Sequence, residues 1–202
     1  MTISDRSYIK AEVASFFRTS ETFGAFSNMH AGFPFRIASC DVRSTEALYQ
    51  ALRYPHLPDF QREIIDQEKP VPAKRHSYKR VAETRPDWFE QNFNVMRYVL
   101  EVKCAFYPGE MRDLFAKTAG KSIVEISSRD DFWGTFDNDG LLQGKNVLGR
   151  LWMERRGIHL EHPADEPIEV NTPPFPDAIL CGQTLTSFTP EPVKSTQAGF
   201  SF

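Results

Sequence analysis

Cysteine is scarce in this sequence, with three residues in 202, at positions 40, 104 and 181. The number is odd, the spacing is wide and no CxxC pair exists, which argues against both a disulfide framework and a zinc cluster. Cys104 falls inside an apolar-periodic run and reads as a small core residue. Histidines at metal spacing are missing as well. His30 has no second histidine placed to share an ion, so no metal site is expected. No apolar stretch approaches membrane length, and the opening "MTISDRSYIK" lacks an apolar leader segment. A cytoplasmic, reducing location without membrane contact is the resulting expectation. Repeats and low-complexity tracts are absent. So is a strong charge of one sign: the net charge of −3 draws the whole chain neither to nucleic acid nor to an acidic membrane.

What is abundant is phenylalanine. Seventeen such rings must pack in a core or around a flat ligand. Hydrophobic residues make up 41% of the chain, enough for a core without a covalent staple. The length favours one domain with an appendage. The appendage begins near Pro163, because seven of the 14 prolines fall beyond residue 162. "HPADEPIEVNTPPFPDA" can hold neither a helix nor a central strand. The expected organisation is therefore a body over residues 1–162 and a proline-rich extension over 163–202. The extension reads as extended chain, partly disordered or wrapped over the body, with "AILCGQTLTSF" apolar enough to dock. It is acidic, with Asp165, Glu166, Glu169, Asp177 and Glu191 against Lys194. That leaves the body slightly positive and compatible with a local basic groove.

Apolar residues at three- and four-residue steps predict a long helix over Asp87–Tyr107, punctuated by Pro86 before it and "PG" after it. Shorter helices are expected near Glu110–Thr118, over Thr45–Arg53 with Ser44 or Thr45 as cap, and over Asn146–Arg156 with Asn146 as cap. Strand signals are short: "FRIAS" near 35–39 and "SIVEISS" at 122–128. The expected fold is α+β, a mainly helical domain with a small sheet.

Several stretches carry residues suited to chemistry, each with a plainer reading beside it. In "STEALYQALR", Glu46 and Gln50 share a helix face next to Tyr49, yet a first-turn glutamate also simply complements the helix dipole. Lys103 lies among Val99, Leu100 and Phe106. Its stem is either snorkelling or its amine is desolvated enough to act as a nucleophile or imine former. In "SSRDDFWGTF", Asp130 and Asp131 precede Trp133 and Gly134. This is a polar turn with an aromatic anchor, or an acid–base carboxylate beside a stacking platform. In "GLLQGKNVLGRLWMERR", two glycines bracket Asn146 before a helix, where backbone N–H groups can face a phosphate, although the spacing matches neither common phosphate-binding loop. In "FGAFSNMH", Ser27 and Asn28 either bond a ribose or phosphate, or close a turn.

These blocks follow one another in an order that resembles the NADAR (YbiA-like) family. "FGAFSN", "STEALYQALR", "PAK" at 72–74, "DWFEQNFNVMRYVLEVKCAF", "DDFWG" and "GKNVLGRLWMERR" match its six motifs over about residues 23–156, which leaves the proline-rich tail outside. The resemblance implies a compact α+β domain over 1–162 that cleaves N-glycosidic bonds without cofactor or metal. Two substrate branches are implied: ADP-ribose on modified guanine in DNA or RNA, and phosphoribosyl-amine intermediates of riboflavin synthesis. Carried over by motif, Glu46, Lys103 and Asp130 are the catalytic candidates. Ser27, Asn28, Tyr49, Lys74, Trp88, Trp133, Gly134 and Asn146 are the substrate-binding ones, joined by Arg75 from the basic run and by Asp131, an extra carboxylate beside the motif. Cys104, Arg53 and Leu48 depart from the family pattern, and the last two put substrate choice in question.

In that reading Glu46 and Asp130 divide stabilisation of charge at C1′ from protonation of the leaving nitrogen. Lys103 offers a second route, through attack on C1′ and an imine. Trp133 and Trp88 stack on the base, and Asn146, Ser27 and Asn28 hold ribose or phosphate oxygens. Arg75, His76 and Lys79 suit a diphosphate or a polynucleotide backbone, although a solvated helix face looks the same. ADP-ribosylated guanine is the leading substrate expectation. A non-catalytic ADP-ribose-binding module is the alternative from another class.

Overall fold

The computed structural model describes residues 3–193, and three of its helices begin at a proline. Its elements in chain order are β1 (Arg6–Ile9), β2 (Ala14–Phe16), β3 (Phe35–Ile37), β4 (Cys40–Val42), α1 (Thr45–Ala51), α2 (Pro58–Ile65), α3 (Pro70–Ser77), α4 (Trp88–Phe106), α5 (Pro108–Ala116), β5 (Ile123–Glu125), β6 (Phe136–Asn138), β7 (Leu141–Gly144), α6 (Val147–Glu161), β8 (Ile179–Leu180) and β9 (Gln183–Thr184). The fold is α+β. Among the described residues no helix is long and apolar enough to cross a membrane.

These residues fall into two compact groups, 3–27 with 109–166, and 28–108 with 167–193. In the first, β1, β7 and β6 form an antiparallel sheet in that order, and β2 pairs parallel with β5. The core is aromatic: Phe26 lies 5.7 Å from Phe115 and 5.2 Å from Trp152, ring to ring, and the Trp152 indole donates to the Phe26 carbonyl at 2.9 Å. Helix α6 runs so close to β5 that a Cβ on Gly149 would stand 2.2 Å from the Ile123 carbonyl oxygen. Only glycine fits that approach.

In the second group β3 and β4 form a hairpin, and α1 packs against α2, α3 and α4. All seven residues of α1 are buried, and Ser44 caps it by accepting from the Ala47 N–H at 3.2 Å. Helices α2 and α3 were not legible in the sequence, since prolines look like breakers. Pro58 and Pro70 each sit at the start of a helix, where the missing N–H has no intrahelical partner to lose. Segment 167–193 is extended apart from the β8–β9 hairpin. It is held by backbone bonds between Val170 and Phe188 and by Asn171, which donates twice to Glu101 Oε1.

Candidate active site

Helix α1 carries a polar ladder through an otherwise apolar core. Gln50 Nε2 donates to Glu46 Oε1 at 2.8 Å. Gln50 Oε1 in turn accepts from Ser77 Oγ at 2.8 Å and from Arg53 at 3.1 Å. Those two donors fix which way the Gln50 amide points, so its N–H₂ must face Glu46. Glu46 is deeply buried, and that burial raises its carboxyl above the ordinary range; Lys74, the Gln50 bond and Arg53 pull the other way. Of the basic residues on α3, Lys74 acts on this carboxyl, Arg75 is exposed, and His76 pairs with Glu63 at 2.8 Å.

Tyr49 and Trp88 pack against each other at 5.1 Å, and the Arg53 guanidinium lies 5.0 Å from the Trp88 ring centre. Trp88 retains only 7% exposure. It is a wall that braces Arg53, not the open stacking surface expected from the sequence. Leu48 is core, and Arg53 is bound into the ladder with a further bond to Thr84 at 3.2 Å.

Lys103 has no exposed surface at all, so snorkelling is ruled out. It lies on the inner face of α4, and its ammonium nitrogen stands 4.0 Å from the centre of the Phe33 ring. Burial pushes the amine down to about 7, which leaves a large neutral fraction at neutral pH. His30, half-buried against Phe33 at 5.2 Å, is held below its usual value by burial and then by Lys103. Phe33 and His30 were missed in the sequence because their relation to Lys103 is spatial. The one available signal was an aromatic loop rich in small polar residues. Asn28, buried nearby in the chain, donates to the Met96 sulfur at 3.0 Å while its carbonyl oxygen has no hydrogen-bond partner. Ser27 belongs to the other group, where its N–H closes a turn onto Gly24.

The "DDFWG" turn lies in the first group and has a structural task. Asp130 Oδ1 accepts from the N–H groups of Phe132 at 3.0 Å and Trp133 at 2.9 Å, and Ser127 Oγ accepts from the Asp130 N–H at 3.1 Å. The carbonyls of Asp131, Gly134, Phe132 and Trp133 then accept, in that order, from the N–H groups of Lys145, Asn146, Val147 and Leu148. The start of α6 is thereby consumed by protein. It is not open to a phosphate, which corrects the expectation for this loop. Asn146 is corrected too. It adopts a left-handed backbone at φ 49° and caps nothing with its side chain. Its amide instead bonds Glu125 N–H, the Ile123 carbonyl and the Tyr8 hydroxyl, at 3.1, 3.0 and 3.3 Å. Gly134 is needed for space, since a Cβ there would meet the Glu125 carbonyl oxygen at 3.0 Å. Asp131 is exposed, and Trp133 stays half-buried, edge-on to Phe132 at 5.2 Å.

An α+β domain that buries a carboxyl biased toward its neutral form and an amine biased toward its own, on helices packed together, has the makings of an enzyme site more than of a passive surface. The NADAR domain family matches residues 15–158, and the chain belongs to it. It is 31% identical over 144 residues to N-glycosidase YbiA of Escherichia coli, covering 71% of this chain and 86% of that one. It is 30% identical over 163 residues to the chloroplastic riboflavin biosynthesis protein PYRR of Zea mays, spanning 73% of this chain but 25% of that longer one. The NMR structure of the Escherichia coli protein YbiA superposes with a TM-score of 0.63 at 29% identity, over 77% of this chain and 92% of the other.

Proposed function

We infer that this protein is a hydrolase of N-glycosyl bonds, and we propose that its substrate is ADP-ribosylated guanine in nucleic acid. The observation that carries the reaction type is that α1 and α4, which pack together, each bury one titratable group, Glu46 and Lys103. Glu46 is biased toward its protonated form and Lys103 toward its neutral form. An acid and a nucleophile of these kinds suffice to cleave a ribosyl C–N bond. The Lys103 amine attacks C1′ as Glu46 protonates the leaving nitrogen. The attached amine then loses its proton to the Glu46 carboxylate. Ring opening gives an imine, and water hydrolyses it to free sugar and restore the amine. Asp130 is left out of this scheme, because one of its oxygens already braces its own turn. The substrate reading rests on Lys74 beside Glu46 and on exposed Arg75 and Lys79 following it, which suit a diphosphate or a polynucleotide backbone.

A second reading is favoured by the likeness to riboflavin biosynthesis proteins: hydrolysis of a small phosphoribosyl-amine. A side-by-side assay separates the two. Wild type and Lys103→Ala are offered an ADP-ribosylated guanine oligonucleotide and, separately, the phosphoribosyl-amine. Release of ADP-ribose by wild type alone supports the proposal. Cleavage of only the small substrate transfers the protein to the second reading, and cleavage of neither overturns the hydrolase inference. Borohydride added during turnover is expected to fix sugar on Lys103; turnover with no trapped adduct removes the imine.

A further inference from the structure

Two cysteines that the reaction does not use are brought together at the tips of two hairpins in the second group. Strands β3 and β4 are joined through Ala38 and Ser39, both left-handed at φ 48° and 60°, and Cys40 follows as the first residue of β4. Strands β8 and β9 are joined through Cys181 and Gly182, at φ 53° and 85°. A turn of this kind favours Asn, Asp or Gly at its first position, so cysteine there is unusual. Helix α2 fixes that tip: Gln61 Oε1 accepts from the Cys181 N–H at 2.6 Å, and Arg62 donates to the Cys181 carbonyl at 2.8 Å. The same helix packs against β4. One helix therefore touches both hairpins, and the Cys40 thiol lies near enough to act on the Cys181 thiol. Both are free thiols, Cys40 half-buried and Cys181 buried.

We propose that Cys40 and Cys181 are an oxidative modification site, closed to an intramolecular disulfide by a two-electron oxidant of the peroxide class and reopened by a thiol reductant. Cys40 is the more accessible sulfur and meets the oxidant first. Burial, and next the Cys40 contact, push the Cys181 thiol up to about 12, so it waits as S–H. The Cys40 thiolate attacks one oxygen of hydrogen peroxide, the O–O bond breaks, and Cys40 becomes a sulfenic acid as hydroxide leaves and takes up a proton. The Cys181 sulfur then displaces hydroxide from that sulfenic sulfur, and the Cys181 proton departs with it as water. Two thiols and one peroxide yield one disulfide and two waters; the sulfurs give up two electrons and the peroxide oxygens take them. The bond ties segment 167–193 to the β3–β4 hairpin and shortens the span of the unfolded chain.

The test uses the full chain. It is treated with hydrogen peroxide, its remaining thiols are alkylated, and its peptides are mapped by mass. The expected result is a Cys40 peptide joined to a Cys181 peptide, alkylation at Cys104 alone, and a raised melting temperature that dithiothreitol reverses. Cys104→Ser is expected to give the same link, and Cys40→Ser and Cys181→Ser none. Three alkylated cysteines after oxidation, a Cys40 oxidised further without joining Cys181, or links only between molecules would each overturn the proposal. The wild-type map decides this even where a variant fails to fold.

Discussion

Glu46 and Asp130 are both carboxylates set among aromatic residues, and the protein holds them in opposite ways. Side chains hold Glu46. The Gln50 amide donates to one oxygen, Lys74 and Arg53 act on it through space, and burial biases it toward the acid form. Backbone holds Asp130. Its Oδ1 accepts from two successive main-chain N–H groups, as an Asx turn does. The first arrangement controls a proton, and the second controls a chain direction. A carboxylate is thus held by side chains in one region and by backbone in the other. The partner atoms tell the two apart.

The comparison breaks most sharply at Lys103, which shares the chemical style of Glu46. Lys103→Met keeps the shape of the stem and removes the amine. Turnover is expected to fall roughly a thousandfold or more, as for loss of a nucleophile. Stability is expected to rise, because burying an amine costs more than burying a thioether. A residue kept only for packing would leave activity intact. The pH dependence sharpens this. In the folded protein the amine titrates at about 7, whereas in the unfolded chain it stays protonated up to about 10.4. The unfolded state binds more protons across that window, so stability rises with pH through it. Lys103→Met is expected to flatten that rise in melts from pH 6 to 10, and wild-type turnover is expected to climb as pH passes through about 7.

Glu46→Gln comes next, with turnover falling about 10²–10⁴-fold. The folded carboxyl lies above its unfolded value, so the folded state binds more protons there. Stability contributed by Glu46 is therefore present at low pH and lost as pH rises through the folded value. Turnover that depends on the protonated acid falls on the same side, and Glu46→Gln is expected to remove that descending limb from the pH profile. An unchanged limb would assign it to another group. Gln50→Ala is a smaller perturbation of the same ladder. It is expected to cost turnover about tenfold, the equivalent of one buried hydrogen bond. Because Gln50 donates to the carboxyl and lowers it, its loss is expected to move the descending limb upward in pH. A residue that merely packed would lower turnover without moving the limb.

Much of this was legible in the chain, and what was not had physical reasons. Helices α1, α4, α5 and α6 announced themselves through period and punctuation; the family motifs singled out Glu46 and Lys103, and the structure shows both buried. Helices α2 and α3 hid behind prolines that are harmless at a first helical position. The sheet of β1, β7 and β6 joins strands from the two ends of the first group, and pairing across such a separation leaves no local signature. The glycines around Asn146 looked like a phosphate loop, because neither the carbonyls of residues 131–134 nor the backbone of β5 can be seen from that stretch alone. Trp88 looked like a platform for the same reason: Arg53, which lies over it, comes from the turn after α1.

Asp130 supplies the finest test of the contrast. Asn keeps an oxygen in the Oδ1 position and so keeps both bonds to Phe132 and Trp133 N–H, while it removes the charge and the acid. If the carboxylate is architecture, Asp130→Asn is expected to hold turnover within about threefold and stability within about 0.5 kcal/mol of wild type. Asp130→Ala deletes the acceptor. It leaves those two N–H groups unpaired in a half-buried turn, for a loss of about 1 kcal/mol and a melting point lower by about 2–4 °C. Turnover and melting temperature on the two variants together separate the roles. A large loss of turnover in Asp130→Asn with an unchanged melting temperature would make Asp130 a second Glu46, and the difference drawn between backbone-held and side-chain-held carboxylates would fail at this site.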